Sequence, residues 1–269
     1  MKILSRLYIA LIIFFLYAPV AVMIVYSFNS SSSVWVFDEF STKWYTGLAS
    51  DTTMLTALEH TLIIAVLSAV ISTVLGTAAA VGITAIRNKA AKKAVMSVTQ
   101  IPMMNADIVT GISLMLLFIF IGKLIGMQEY LGFPTVLIAH ITFNLPYVIL
   151  SVIPKLRQTD SHLSEAALDL GCTPVKAFFK VIVPSISTGI VTGFIMAFTL
   201  SLDDFVISYF TCGRYQTLPI IIYTMTKKSV KPDAYALSTI IFVTVFVLLI
   251  LYNVLQTKSE IKRAEIKQY

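Results

Sequence analysis

Charge is what this sequence has least of. Asp, Glu, Lys and Arg make up only 13% of its 269 residues, against roughly 25% in an ordinary soluble domain. The hydrophobic share is 57% and the mean hydropathy is +0.86. Membrane spans are therefore the first thing to look for. Cysteine is nearly absent: Cys172 and Cys212 lie far apart and make no disulfide framework. The topology derived below puts them on opposite sides of a membrane, so they are expected to be unpaired. No GxxxxGK[ST] run is present, which argues against a P-loop ATP site in this chain. Neither HExxH nor a paired-cysteine pattern suggests a metal. The residues imply no bond-changing chemistry, and the chain reads as neither an enzyme nor a cofactor carrier.

What is present is apolar sequence in long runs. Six of them, at about 7–27, 61–86, 97–121, 134–154, 185–207 and 235–256, are long enough to be spans. The first exceeds a signal-peptide core of about 7–15 residues and reads as an uncleaved span. The net charge of +6 could suggest nucleic acid, but in so apolar a chain it is better read as a topology signal, with no nucleic-acid partner. Every Lys and Arg falls between the runs. Most sit at the N-terminus (Lys2, Arg6), after run two (Arg87, Lys89, Lys92, Lys93), after run four (Lys155, Arg157, Lys176, Lys180) and in the tail (Lys258, Lys262, Arg263, Lys267). Basic residues mark retained loops, so both termini are expected in the cytoplasm. The loop 208–234 is expected outside despite four basic residues, and its apolar centre "LPIIIYTM" suggests a re-entrant segment. Ser68, Ser72, Gly76, Ala80 and Thr84 repeat every four residues, a ridge of small side chains for close helix packing.

One stretch is soluble-looking: "EAALDLGCTPVKAFFKVIVP", Glu165 to Pro184. Leu163, Ala166, Ala167 and Leu170 share one helix face. Asp160 or Ser161 caps its start, and Gly171 suits a left-handed stop. Thr173 caps a second helix with Pro174 at its first position and Val175, Phe178, Phe179 and Ile182 on one face. The spacing predicts helix, glycine turn, helix on the cytoplasmic side, with two apolar faces to be covered by lipid headgroups or by a protein.

The pattern Glu165-Ala166-Ala167, Gly171, then Val181, Val183 and Pro184 resembles the EAA loop of ABC-importer permeases, which commonly carry Ile and Leu at the two valines. The stretches "SFNSS", "FSTKWYTGL", "HITFNLPYV" and "FTLSLDDFVISYF" resemble the spermidine/putrescine branch of that family, over about residues 1–257. The resemblance implies an all-α integral membrane protein with six transmembrane helices. It also implies the type I ABC-importer permease fold, in a bacterial inner membrane. The loop at about 155–184 would be the coupling helix, with Glu165, Ala166, Ala167 and Gly171 forming the joint with a cytoplasmic ATPase dimer that binds ATP and magnesium. A second related permease subunit and an extracytoplasmic polyamine-binding protein would complete the importer.

Acids inside apolar runs are functional candidates by default. Asp107, Asp203 and Asp204 are such acids, and no basic residue in the runs neutralises them. Their partner is water, another chain or a cationic substrate. His140, Asn144, Tyr147 and Ser151 form a polar stripe on run four. For a polyamine, carboxylates offset the ammonium charges, and Tyr147 and Phe143 add cation–π attraction of about 0.5–2 kcal/mol. Asp107, Asn144, Tyr147, Asp203 and Asp204 are therefore the expected pathway residues, with Asp107 in the cavity and the Asp203/Asp204 pair at an outer gate. The related family commonly has Pro before the acid, where this chain has Ala106. His140 is expected to be an interhelical hydrogen-bonding residue. The aromatics of the first outer loop (Trp35, Phe37, Phe40, Trp44, Tyr45) read as an interfacial belt or, on the family reading, as contacts for the binding protein. Alternatives are an ABC permease for iron, thiamine or phosphonate, a stand-alone secondary transporter or channel, and a membrane scaffold.

Overall fold

A computed structural model of the chain describes residues 2–31, 36–160, 162–228, 234–247 and 250. The fold is all-helical among the described residues, apart from one isolated antiparallel bridge between Asn29 and Phe40. Four helices are long and apolar enough to cross a membrane, or five if one bent pair counts as a single span. Two compact units are formed, one from the described residues up to Leu55 and from Ile222 onward, the other from Thr56–Ile221.

The first unit opens with α1 (Lys2–Tyr26), a 25-residue helix that keeps Pro19 inside it. Phe14, Phe15 and Leu16 are exposed on successive faces, the mark of a helix made for an apolar surround. The connection to α2 (Lys43–Ser50) is knotted around Asn29, which is almost fully buried. Its Oδ1 accepts from the backbone N–H of Ser31 (3.2 Å) and Asp38 (2.9 Å), and its Nδ2 donates to Val36 O at 2.7 Å. Trp44 Nε1 donates to Asn29 O at 2.6 Å, and the Ser27 and Tyr45 hydroxyls meet at 2.6 Å. Phe28 stacks on both Phe40 and Tyr45. The loop aromatics thus pack on one another, while Phe40 keeps an exposed flank; Trp35 lies outside the described residues. The sixth apolar run is described as a helix over Ala234–Val247, and the rest of 235–256, apart from residue 250, lies outside the described residues, as do Ser161 and the basic tail.

The second unit is built on α3 (Thr52–Ala85), whose start is capped by Asp51 Oδ1 accepting from Thr53 and Met54 N–H. At 1.5 Å per residue, its 34 residues outreach a hydrocarbon core of about 30 Å. Lys92 Nζ donates to Thr84 O near its end. The ridge of small residues on α3 is occupied: Ser68, Ser72, Gly76 and Ala80 are all buried. A Cβ on Gly76 would lie 2.7 Å from Val148 Cγ1, and one on Gly193 would lie 3.2 Å from Val148 Cα. Val148 is wedged between two glycines on different helices, and Ala69, Ile149, Val152, Ile186 and Ala197 complete that core.

The third apolar run is two helices rather than one. α4 (Lys89–Met104) starts under an Asn88 cap and ends at Asn105; Ala106 is extended; α5 (Asp107–Ile125) begins at Asp107 itself. α6 (Phe133–Gln158) follows and tolerates Pro146 and Pro154. The soluble-looking stretch forms α7 (His162–Asp169), then Gly171 with φ +82°, then α8 (Pro174–Ala177) with Thr173 Oγ1 accepting from Lys176 N–H. Asp160 Oδ1 accepts from His162 N–H at 3.0 Å. A π-helical turn (Phe178–Ile182) leads through α9 (Val183–Ser185) into α10 (Ser187–Asp203). The segment Pro174–Ser185 meets α10 at a bend of 71°. The fifth run breaks again at Asp204 and resumes as α11 (Val206–Thr211). The loop after it contains α12 (Leu218–Lys228), with Leu218, Ile220 and Ile221 buried and Leu218 N–H donating to Thr61 Oγ1 at 2.8 Å. The "LPIIIYTM" segment is therefore the core of a short helix. Both thiols are free.

Candidate functional site

Four elements of the second unit meet in a string of buried polar side chains. Asn144 on α6 donates from Nδ2 to Ser68 Oγ on α3 (3.4 Å), and Ser68 donates to Ser201 Oγ on α10 (3.0 Å). Ser201 Oγ lies 2.5 Å from His140 Nδ1. The other ring nitrogen, Nε2, lies 2.9 Å from Ser208 Oγ on α11 and 3.4 Å from Asp204 Oδ2. Asp204 also accepts from Ile207 N–H (3.3 Å) and Ser208 N–H (2.8 Å). Its carboxylate thus caps α11, where the first N–H groups lack helical partners and the dipole favours a negative charge. Asn144 Oδ1 has no hydrogen-bond partner among the described residues. Apart from that oxygen the string is satisfied, and bonded polar strings favour a single packing in apolar surroundings.

A second, more open group lies along α5 and α6. Asp107 is exposed in the first turn of α5, just past the α4/α5 break, and its charge acts on the Tyr147 phenol. Tyr147 and Phe143 are half-buried neighbours with ring centroids 5.5 Å apart. A carboxylate within electrostatic reach of one aromatic ring, itself paired with a second, suits a substituted ammonium group. Asp203 is exposed at the end of α10. The structure thus divides the polar stripe of α6: His140 and Asn144 turn into the bundle, Tyr147 keeps an exposed flank near Asp107, and Ser151 donates to Tyr147 O on its own helix at 2.8 Å. The acids divide as well, with Asp204 bonded inside and Asp203 open.

The third feature is the α7–α8 turn. Ala167 and Ala177 are buried, and Glu165 and Ala166 are exposed. Leu170 is 87% exposed and Phe179 63%, so large apolar side chains stand uncovered on either side of the Gly171 stop. Glu165 Oε2 lies 3.1 Å from His162 Nδ1 one turn earlier. Gly171 N–H donates to Leu168 O and Cys172 N–H to Ala167 O, a helix stop that requires the positive φ of Gly171.

A family profile described as "Binding-protein-dependent transport system inner membrane component" matches residues 72–261. This chain belongs to that family. The permease is 39% identical over 228 residues to the "Putrescine transport system permease protein PotI" of Escherichia coli strain K12, covering 84% of this chain and 81% of that protein. It is 40% identical over 237 residues to the "Spermidine/putrescine transport system permease protein PotC" of the same strain, covering 88% and 87%. Among solved structures, it shares its fold with a chain of a bacterial ABC transporter involved in import of the acidic polysaccharide alginate. That match has a TM-score of 0.71 at 16% identity, over 96% of this chain and 95% of that one. A chain of the alginate transporter in complex with its pentasaccharide-bound periplasmic protein matches with a TM-score of 0.72 at 16% identity, over 93% and 92%. The permease is thus a multi-pass membrane protein with an ABC-permease fold.

Sequence reasoning singled out His140 as an interhelical hydrogen-bonding group, which is where the permease places it. It did not connect Ser68, Ser201 and Ser208 to that ring. Ser68 belonged to a ridge read only as packing, and Ser201 and Ser208 are small hydroxyls with no periodic signature of their own.

Proposed function

We propose that this permease subunit forms half of the translocation pathway of an ATP-driven polyamine importer for spermidine and putrescine. The observation that carries the cargo is the exposed Asp107 carboxylate within electrostatic reach of Tyr147, whose ring pairs with Phe143, in a chain whose apolar runs hold acids and no bases. An ammonium group gains from both a carboxylate and a ring face. The named substrates of the E. coli relatives support the same chemistry. Asp203 is the outer acid of the pathway. Asn144 supports the pathway wall from inside the bundle through Ser68, and Asp204 holds the outer wall by capping α11. Separated acids fit a spaced polycation better than a single deep charge does.

The loop 155–184 is the coupling element. Glu165, Ala166, Ala167 and Gly171, with the uncovered Leu170 and Phe179, dock on a cytoplasmic ABC ATPase dimer, which binds the ATP and magnesium. A second related permease subunit completes the pathway, and an extracytoplasmic polyamine-binding protein delivers the cargo, as the periplasmic protein in the alginate complex suggests. Both termini lie in the cytoplasm and six spans cross the bacterial inner membrane. The test is reconstitution with and without the ATPase, second permease and binding protein. ATP-dependent uptake of labelled spermidine by the full set alone is expected; uptake by this chain by itself overturns the assignment. In the full set, Asp107→Asn should raise the uptake KM by about 5–30-fold, as for losing 1–2 kcal/mol of a part-screened charge contact. An unchanged KM and competition profile overturns the role of Asp107.

A further inference from the structure

The fifth apolar run is interrupted at the residue where a rigid lever is least expected to be. α10 ends at Asp203, Asp204 is extended (φ −66°, ψ 113°), and α11 begins at Val206. No backbone ladder carries force across such a break, because the helical hydrogen bonds stop on one side and restart on the other. One side chain bridges it. The His140 imidazole, buried on α6, holds Ser201 on the α10 side through Nδ1, and Ser208 and Asp204 on the α11 side through Nε2. A second tie from α6 reaches the far end of α11, where Thr135 Oγ1 donates to Thr211 O at 2.8 Å. α11 in turn seats on α5: a Cβ on Gly111 would lie 2.9 Å from Phe210 Cδ2 and 3.5 Å from Val206 O.

We propose that His140 is a positioning residue that braces the broken fifth span, so that displacement of its cytoplasmic half is carried past Asp204 to α11 at the outer end. The imidazole suits the role because it presents hydrogen-bonding nitrogens on opposite edges of one stiff ring. Its serine neighbours can reverse their hydroxyls, so the bridge is satisfied whether Nδ1 accepts from Ser201 or donates to it. In the first arrangement Ser68 donates to Ser201 and Ser201 to Nδ1. In the second Nδ1 donates to Ser201, Ser201 donates to Ser68, and Ser68 turns to Ala65 O, 3.3 Å away. The ties to Ser201 and Ser208 hold in both; the tie to Asp204 needs a proton on Nε2, which the first arrangement supplies.

The functional part of this inference rests on the proposed coupling role of the loop 155–184, so the experiment separates the two. Spin labels are placed in the assembled importer at Thr192→Cys on α10 and Tyr209→Cys on α11, both exposed, with Cys172→Ser and Cys212→Ala removing the native thiols. Their distance distribution is read with and without trapped nucleotide. In the otherwise unchanged chain it should stay single and narrow in both states. His140→Leu should broaden or split it, and His140→Gln, which keeps a donor and an acceptor, should restore it in part. In parallel, labelled spermidine taken up per ATP hydrolysed should fall about tenfold in His140→Leu, the scale of losing a buried hydrogen-bonded bridge, while ATP hydrolysis falls far less. A distribution in His140→Leu identical to the parent overturns the brace, as does a parallel fall of uptake and hydrolysis. If His140→Leu does not insert, the Ser201→Ala, Ser208→Ala pair decides: a broadened distance supports the brace and an unchanged one overturns it. Glu165→Ala serves as the separate arm: spermidine uptake and ATP hydrolysis unaffected by it refute the coupling role of the loop while leaving the label distances to judge the brace.

Discussion

Gly76→Ala tests the packing of the permease most directly, because the change is one methyl group. That methyl would stand 2.7 Å from Val148 Cγ1 and 2.8 Å from Val148 Cβ. Carbon contacts settle near 3.5–4.0 Å, so the overlap is close to an ångström. Val148 cannot yield easily: it is β-branched with a stiff χ1, it is fully buried, and the α10 backbone at Gly193 closes the space behind it. Overpacking of this kind costs about 1–3 kcal/mol. The helix-propensity gain of Ala over Gly, about 1 kcal/mol in water, offsets little here, since spans stay helical when they separate in a bilayer. Net destabilisation of about 1–3 kcal/mol is therefore expected. Gly82 on the same helix supplies the control: a Cβ there meets nothing within 4 Å, so Gly82→Ala should stay within about 0.5 kcal/mol. Removing the obstacle should rescue the first variant. Gly76→Ala with Val148→Ala should be more stable than the sum of the two single changes by about 1–2 kcal/mol. Denaturant titration in bicelles, followed by circular dichroism, measures all four. If Gly76→Ala proves as harmless as Gly82→Ala, or if Val148→Ala brings no relief, the wedge does not hold the helices together.

Gly171→Ala has open space around it, so its effect is purely conformational: holding φ +82° costs an alanine about 1–2 kcal/mol. On the proposed docking role of the loop 155–184, affinity of the permease for the ATPase subunit should fall about 5–30-fold while membrane levels hold. Asn29→Ala strips the loop between α1 and α2 of three hydrogen bonds at a buried site. It should cost about 2–3 kcal/mol locally, read as faster proteolysis between Ser30 and Lys43 and a red-shifted Trp44 emission. At Tyr215, outside the spans, burial first and then the charge of Glu59 push the phenol above its ordinary value. Because the folded value is the higher one, the stability it contributes is complete below the ordinary phenol pKa and is lost as pH rises through the folded value. Phenolate absorbance should show a late-titrating step that Tyr215→Phe removes and Glu59→Gln shifts downward.

The spans and the soluble-looking turn were legible because each has a local cause. Apolar length reports a bilayer, Gly171 reports a left-handed stop, and Thr173-Pro174 reports a helix start. Where the apolar runs break was less legible. Asn105-Ala106 and Asp204 interrupt runs that hydropathy reads as continuous, since a single polar residue hardly changes the average over a span. Pro102, two residues from the end of α4, does not mark the break. The division of the acids was hidden for a related reason. Asp203 and Asp204 are neighbours of one type, and only the fold decides that Asp204 turns to His140 and the α11 backbone while Asp203 stays open. Periodicity placed His140 and Tyr147 in one stripe, but positions seven apart are about two turns apart along the axis, far enough to meet two environments.

The π-helical turn at Phe178–Ile182 bears on how this chain can change over evolutionary time. A π turn accommodates one residue more than an α turn does, so the segment from Gly171 to Pro184 is one residue longer than a regular helix needs. Losing that residue would rewind the turn to α and leave the helices on either side close to their present register. The turn is thus a place where the chain can give back one residue without re-aiming α10. Among descendants that still transport, single-residue deletions should be tolerated within Phe178–Ile182 and purged from the regular turns of α10, where the loss of one residue rotates all that follows by about 100°.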